Sequence, residues 1–179
     1  YENLHILPSS LDLAAAELEI SDKKGRESIL KNALLPIKQY YDYIIIDCPP
    51  SLGLITTNAL TASDTFLVPI QCEYYALEGL TQLMSTVRRI KRQYNNTIDI
   101  EGVLLTMYDG RLNLTQQVVE EVKKFFPRKV FKTVIPRGVR LSEAPSFGMP
   151  VIYYDKNCKG SITYTELAKE IIAKERSYE

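Results

Sequence analysis

Short apolar runs, rich in valine and isoleucine, alternate along the chain with longer segments whose apolar residues repeat at helical spacing. The runs that predict strands are residues 4–7, 43–47, 65–70, 100–107 and 130–135. The segments that predict helices are residues 12–19, 27–39, 53–61, 76–94, 113–126 and 163–174. Such alternation is typical of parallel sheets that are buried on both faces. It predicts a doubly wound, mostly parallel α/β fold with helices on both faces and ligands at the carboxyl ends of the strands.

Two stretches interrupt this alternation. Residues 21–26 are polar and contain Gly25, which indicates a loop between two helices. Residues 136–161 contain several prolines and glycines and show no clear periodicity, so they predict a long loop. Because a structureless loop of this length is unusual in a compact domain unless it is functional, we expect a function for it.

The charges of the chain balance, since 22 Lys and Arg residues face 22 Asp and Glu residues. No global field therefore attracts nucleic acid or membrane, and any DNA contact must come from a local patch. The three cysteines stand far apart, which argues against a zinc site or a disulfide framework and favours a reducing cytoplasm. No run approaches the roughly 20 apolar residues that span a bilayer. A chain of 179 residues, 45% of them hydrophobic, is expected to form a single domain.

The sharpest local signal is the apolar run at residues 43–46, which ends in Asp47 and is followed by Cys48, Pro49 and Pro50. A buried strand that delivers one carboxylate at its carboxyl end is suited to orient a Mg²⁺ ion and its waters beside phosphates. The two prolines then force the chain away from the strand. The alternative is an aspartate that only caps the following turn.

Residues 41–53 resemble the ParA/Soj and MinD group of deviant Walker ATPases, and residues 68–79, 106–111 and 135–146 resemble the same group in the same order. The run at residues 139–146 is similar to the ParA/Soj branch. The resemblance implies a P-loop NTPase fold in which Asp47 is the Walker B residue and holds Mg²⁺ through water. It also implies that Cys48, Pro49 and Pro50 form a nucleotide-sensing switch.

Further sites follow from the resemblance alone. It places the adenine of ATP beside Thr106, Met107, Pro136 and Arg137, although Met107 and Pro136 have the alternative of only packing the sheet edge. It places non-specific DNA contacts at Arg111 and Arg140, and residues 73–75 near a nucleotide-dependent dimer interface. A basic run that could widen the DNA patch comprises Lys123, Lys124, Arg128, Lys129 and Lys132.

The chain contains no G-x-x-x-x-G-K-[ST] phosphate-binding loop, begins at Tyr1 and is read as the carboxyl-terminal portion of a longer ATPase domain. We expect this polypeptide alone to be inactive. The resemblance implies that the intact protein is a cytoplasmic, nucleoid-associated ATPase of chromosome or plasmid partitioning. It would bind MgATP, form a homodimer, bind DNA non-specifically and be stimulated by a ParB-type centromere-binding protein, without binding membrane. The alternatives are a MinD-like membrane-associated ATPase and a non-catalytic interaction module.

Overall fold

The computed structural model describes residues 1–73 and 76–175. The chain divides into two compact units. The first comprises Tyr1–Asp64 and Ser85–Ile98, and the second comprises the described residues of Thr65–Met84 and Asp99–Glu179. Among the helices that these residues form, none has both the length and the hydrophobicity that a membrane-spanning segment requires.

The first unit is helical. It contains α1 (Asp12–Glu19), α2 (Ile29–Leu34), α3 (Leu54–Ala62) and the carboxyl-terminal part of α4 (Ala76–Gln93), with 3₁₀ turns at Arg26–Ser28 and Lys38–Tyr40. The predictions of α1, α3 and α4 are confirmed. The single helix predicted over residues 27–39 is wrong, because the helix is interrupted at Pro36, two residues after the end of α2, and a proline supplies no N–H group for the helical ladder.

The buried face of α3 holds this unit together through side-chain amides. Asn58 donates to the carbonyls of Arg26 at 2.7 Å and Leu54 at 3.0 Å, and its Oδ1 accepts from the N–H of Leu30 at 3.1 Å. Asn95 closes the other end of α3 by donating to the carbonyl of Ser63 at 2.7 Å. Buried amides are stable only when bonded in this way, so α3 has a defined place in the unit.

The two strands predicted at residues 4–7 and 43–47 do not form, and these predictions are wrong. Ile45 is 91% exposed and Leu7 is 84% exposed, so their side chains are not packed in a sheet. A parallel strand is stable only beside a neighbour that satisfies its N–H and C=O groups. Among residues 1–73 and 76–175, no segment pairs in this way with either run.

The second unit contains the parallel sheet. Strand β1 (Thr65–Gln71) pairs with β2 (Asp99–Thr106), from Thr65 opposite Asp99 to Gln71 opposite Thr106, with a bulge between Phe66 and Leu67. The predictions at residues 65–70 and 100–107 are therefore confirmed. Helix α5 (Asn113–Phe125) follows β2 and confirms the helix predicted at 113–126.

The run predicted as a strand at residues 130–135 lies beside β2 without forming a regular strand. The N–H of Phe131 donates to Val103 O at 3.0 Å, and the N–H of Ile135 donates to Leu105 O at 2.9 Å. Parallel bridges join Val103 to Val130 and Tyr108 to Pro136. The pairing is parallel, as expected, but interrupted between these points.

Helices cover both faces of this sheet. Val103 and Leu105 pack with Val118 and Val122 of α5, whereas Leu104 packs with Leu167 of α8 (Lys159–Glu175). Because successive side chains of a strand point to opposite faces, the two clusters lie on opposite sides of β2. The predicted parallel sheet with helices on both faces is thus confirmed for this unit.

The long loop predicted over residues 136–161 is wrong, since the segment contains α6 (Val139–Glu143), a 3₁₀ turn (Ala144–Phe147), α7 (Val151–Tyr154) and the first turn of α8. Helices of one turn are too short to show a periodicity. Ser161 joins two of them by donating to Val151 O at 2.9 Å and Asp155 O at 2.6 Å. The beginning of α8 at Lys159, before the predicted residue 163, follows from this anchoring.

Candidate functional site

Asp47 lies on the surface of the first unit, at the end of the unpaired run. Among residues 1–73 and 76–175, no hydrogen bond joins its carboxylate to the turn that follows. The thiol of Cys48 has a pKa above its ordinary value because of desolvation and, second, the charge of Asp47. Cys48 is therefore a protonated neighbour of the carboxylate at neutral pH and not a nucleophile.

The turn after Asp47 is tied to the first residues of α3. Thr56 donates its hydroxyl to Ser51 O at 2.6 Å, and Thr57 donates its hydroxyl to Gly53 O at 3.0 Å. The N–H of Leu54 donates to the carboxylate of Glu17 in α1. Sequence reasoning missed Glu17, because a glutamate in a short helix is usually a solvated side chain and nothing in the sequence signals a partner 37 residues away.

The carboxylate of Asp47 is suited to bind a magnesium ion together with other ligands, namely waters and phosphate oxygens. Among residues 1–73 and 76–175, no group of three or more His, Cys, Asp or Glu residues is arranged to hold a metal by itself. Mg²⁺ keeps several waters and usually takes one or two carboxylates together with phosphate oxygens. A lone exposed carboxylate at the end of an apolar run fits that chemistry, whereas a closed all-protein cage is absent from the described part of the chain.

The four residues assigned to adenine lie together in the second unit. Thr106 ends β2 and donates its hydroxyl to Ile70 O at 3.3 Å, and Met107 follows with a φ of 52°. Pro136 pairs with Tyr108, and the N–H of Arg137 donates to Tyr108 O at 3.2 Å. A left-handed φ is uncommon for a methionine and is maintained only where the surroundings fix it.

The side chain of Arg137 extends from this cluster to the end of β1. Its guanidinium lies 2.7 Å from Glu73 Oε1, and both side chains are more than half exposed. Glu73 belongs to the segment 73–75 that was assigned to a dimer interface, and Tyr74 and Tyr75 lie outside the described residues. The ion pair joins the carboxyl end of β1 to the segment after residue 135.

Arg111 forms a two-pronged ion pair with Asp109. Its Nε and Nη2 lie 2.9 Å and 2.6 Å from the two carboxylate oxygens, and its backbone N–H donates to Oδ1 at 3.1 Å. These bonds lower the pKa of Asp109 to about 2, with the side-chain hydrogen bond from Arg111 as the largest cause. The Arg111 side chain remains 88% exposed, so its outer face is open to solvent.

Arg140 also has acidic partners. It lies 2.8 Å from Glu143 and 3.5 Å from Asp155, and its guanidinium is 6.0 Å from the centre of the Tyr154 ring. In the basic run, Lys124 pairs with Glu121 at 2.5 Å and Lys129 pairs with Asp99 at 3.1 Å. Arg111, Arg140, Lys124 and Lys129 thus each lie beside at least one carboxylate.

Comparison with known proteins gives these geometries a context. A family model described as an AAA domain matches residues 1–100. The sporulation initiation inhibitor protein Soj of Bacillus subtilis is 60% identical over 96% of this chain, which spans 68% of that protein. The chromosome partitioning protein ParA of Myxococcus xanthus is 51% identical over 96% of this chain, which spans 61% of that protein.

The solved structures agree on the fold. The structure of a cobyrinic acid a,c-diamide synthase from Mycobacterium smegmatis with bound ADP and magnesium is 34% identical, with a TM-score of 0.81. The match covers 97% of this chain and 63% of that one. An α/β fold with a parallel sheet is thus shared with P-loop ATPases of the ParA and MinD type. From its identity to relatives along nearly all of its length, the chain belongs to the Soj/ParA family of chromosome-partitioning ATPases.

Proposed function

We propose that the intact protein containing this chain is an ATPase of chromosome or plasmid partitioning. The observation that carries the proposal is the 60% identity to Soj over 96% of the chain. In this proposal the intact protein binds MgATP, forms a homodimer on ATP binding and binds DNA non-specifically. A ParB-type centromere-binding protein stimulates its hydrolysis, and the protein works in the cytoplasm on the nucleoid.

Asp47 is the residue that we assign to the chemistry. Magnesium, when bound, neutralises charge that develops on the phosphates during phosphoryl transfer. Asp47 would hold a water of the metal shell through its free carboxylate, while Pro49 and Pro50 turn the chain away from the phosphates. Cys48 stays protonated beside it because its pKa is raised, so it adds no second charge to the site. Residues 48–50 are the segment that would respond to the nucleotide.

The adenine base is assigned to the cluster at the end of β2. Met107 and Pro136 supply apolar surface, and Thr106 and Arg137 supply polar groups beside it, which is the usual composition of a site for a flat heterocycle. In support, the four residues meet at the carboxyl end of a parallel strand, where ligands of open α/β sheets bind.

DNA is assigned to Arg111 and Arg140, whose guanidinium groups are exposed on the second unit. Exposed arginines bind DNA phosphates without recognising the base sequence. The resulting affinity falls as the salt concentration rises, because binding releases cations from the DNA. Each arginine is also paired with a carboxylate, so a phosphate would compete with that carboxylate for the guanidinium.

The sharpest test of the ATPase assignment is Asp47→Asn in the intact protein. Because the amide cannot hold the magnesium shell as a carboxylate does, we expect a loss of ATP turnover of about 100-fold or more. The matched control is Asp42→Asn, five positions earlier on the same exposed segment, which should keep wild-type turnover. Wild-type turnover by Asp47→Asn, at saturating and at limiting magnesium, would remove Asp47 from the site.

A further inference from the structure

The first turn of α3 lacks a cap from its own sequence. Its N-cap residue is Gly53, which has no side chain, and no side-chain cap bond is formed there. The first N–H groups of any helix have no partner inside the helix and must be bonded from elsewhere. Here the N–H of Leu54 is bonded by the carboxylate of Glu17, which belongs to α1 and lies 37 residues earlier in the chain.

The Glu17 carboxylate lies directly beside Gly53. Gly53 has a φ of −79°, so its backbone conformation is open to any residue. A Cβ atom built on Gly53, however, would overlap the Glu17 carboxylate. A larger residue at this position would therefore make the Glu17 side chain shift. The negative charge of Glu17 at the amino end of α3 also complements the helix dipole.

The rest of α3 is anchored independently of Glu17. Asn58 holds the middle of the helix to Arg26 and Leu30, and Asn95 holds its carboxyl end. Thr56 and Thr57 bind the carbonyls of Ser51 and Gly53, so the turn after Asp47 follows the first turn of α3 as one piece. Among the described residues, the hydrogen bond to Leu54 joins this piece to α1.

We propose that Glu17 is a positioning residue for the Asp47 carboxylate. By fixing the start of α3, Glu17 fixes the position of the turn that begins at Cys48, and with it the direction in which Asp47 reaches its ligand. The proposal rests on the proposed ATPase function. It predicts that Glu17 changes the affinity for magnesium in the nucleotide complex more than it changes the stability of the protein.

The test uses three variants of the intact protein: Glu17→Ala, Glu17→Gln and the control Glu19→Ala. Glu19 is exposed at the end of the same helix, and in the described part of the chain it forms no hydrogen bond or ion pair with α3, so its removal should change nothing. The first measurement is amide hydrogen exchange of residues 51–57 without nucleotide or metal. We expect exchange at Leu54 to accelerate roughly fivefold in Glu17→Ala, the effect of losing a typical helix cap. Glu17→Gln keeps an acceptor oxygen and should largely restore protection.

The second measurement is the magnesium concentration that gives half-maximal ATP turnover. We expect Glu17→Ala to raise this magnesium concentration about tenfold and Glu17→Gln to reverse most of the increase. The KM for ATP at saturating magnesium should change little. Faster exchange with an unchanged magnesium requirement would show a purely structural cap and overturn the proposal. Unchanged exchange would overturn it as well, because the contact itself would be irrelevant. Absence of magnesium-dependent turnover in wild type would instead refute the proposed function.

Discussion

At the scale of residues, the carboxylate of Asp109 binds the guanidinium of Arg111. Its oxygens take three hydrogen bonds from Arg111, and Arg137 adds a weaker attraction. Its pKa of about 2 lies below the ordinary value of 3.8, so any contribution to stability is present above pH 3.8 and is lost as the pH falls through 2. Between pH 5 and pH 8 the pair is always ionised, and its effect on DNA binding should not depend on pH.

From this pair we predict that Asp109→Asn increases the affinity of the intact protein for DNA. The substitution removes a negative charge beside Arg111, so its guanidinium can bind DNA phosphates without competition from a carboxylate. We expect the affinity for DNA to increase about threefold to tenfold at low salt. Arg111→Ala should lower the affinity by a similar factor. Fluorescence anisotropy with duplex DNA, over a range of salt concentrations, measures both changes.

The control for this prediction is Glu121→Gln, which removes the acidic partner of Lys124 on α5. If DNA contacts Arg111 and not the basic run, Glu121→Gln leaves the affinity unchanged. Equal gains from Glu121→Gln and Asp109→Asn would indicate a general charge effect, and a loss of affinity in Asp109→Asn would indicate that Asp109 orients Arg111 for binding.

At the scale of elements, the carboxylate of Glu170 in α8 bonds the segment beside β2, against which Leu167 of the same helix also packs. Glu170 accepts from the N–H groups of Lys132 at 2.8 Å and Thr133 at 3.0 Å. Desolvation raises its pKa, but the two N–H groups, the side chain of Thr133 and the charge of Lys174 together outweigh desolvation, so that the pKa lies below the ordinary 4.5. The two bonds satisfy backbone groups where the third parallel segment has no regular ladder.

We predict that Glu170→Ala destabilises the second unit by about 1 kcal/mol, a discounted value because the carboxylate is partly solvated. Since the folded pKa is depressed, the stabilising contribution is present above pH 4.5 and is lost as the pH falls through the folded value. Thermal unfolding of the intact protein between pH 3 and pH 7 measures it. The stability of wild type should fall more steeply on acidification than that of the variant. Parallel curves would contradict the assignment.

At the scale of the whole molecule, the sequence lacks the glycine-rich loop and lysine that hold phosphates in P-loop ATPases. Electrostatic stabilisation of the transferring phosphoryl group supplies most of the acceleration in such enzymes. We therefore predict that the purified 179-residue chain does not hydrolyse ATP, in contrast to the activity proposed for the intact protein. A phosphate-release assay with and without magnesium measures this. Magnesium-dependent turnover by the chain, abolished by Asp47→Asn, would contradict it.

Several features followed from the sequence alone. Helices α1, α4 and α5 and strands β1 and β2 were predicted within about a residue, and α4 and α5 have the clearest helical periodicity among them. The ordered motifs predicted the family, and comparison confirmed it. The grouping of Thr106 and Met107 with Pro136 and Arg137 came from the resemblance alone, and their role in binding adenine stays a prediction.

Other features were decided only by tertiary structure. Residues 43–47 have every local property of a buried strand, yet Ile45 is 91% exposed, because a strand is completed by a neighbour and not by its own side chains. The contact of Arg140 with Asp155, and the contact between Glu17 and Leu54, depend on which backbone turns come together. Periodicity determined which segments are helices and strands. Pairing in space decided which strands form and which carboxylate holds which helix.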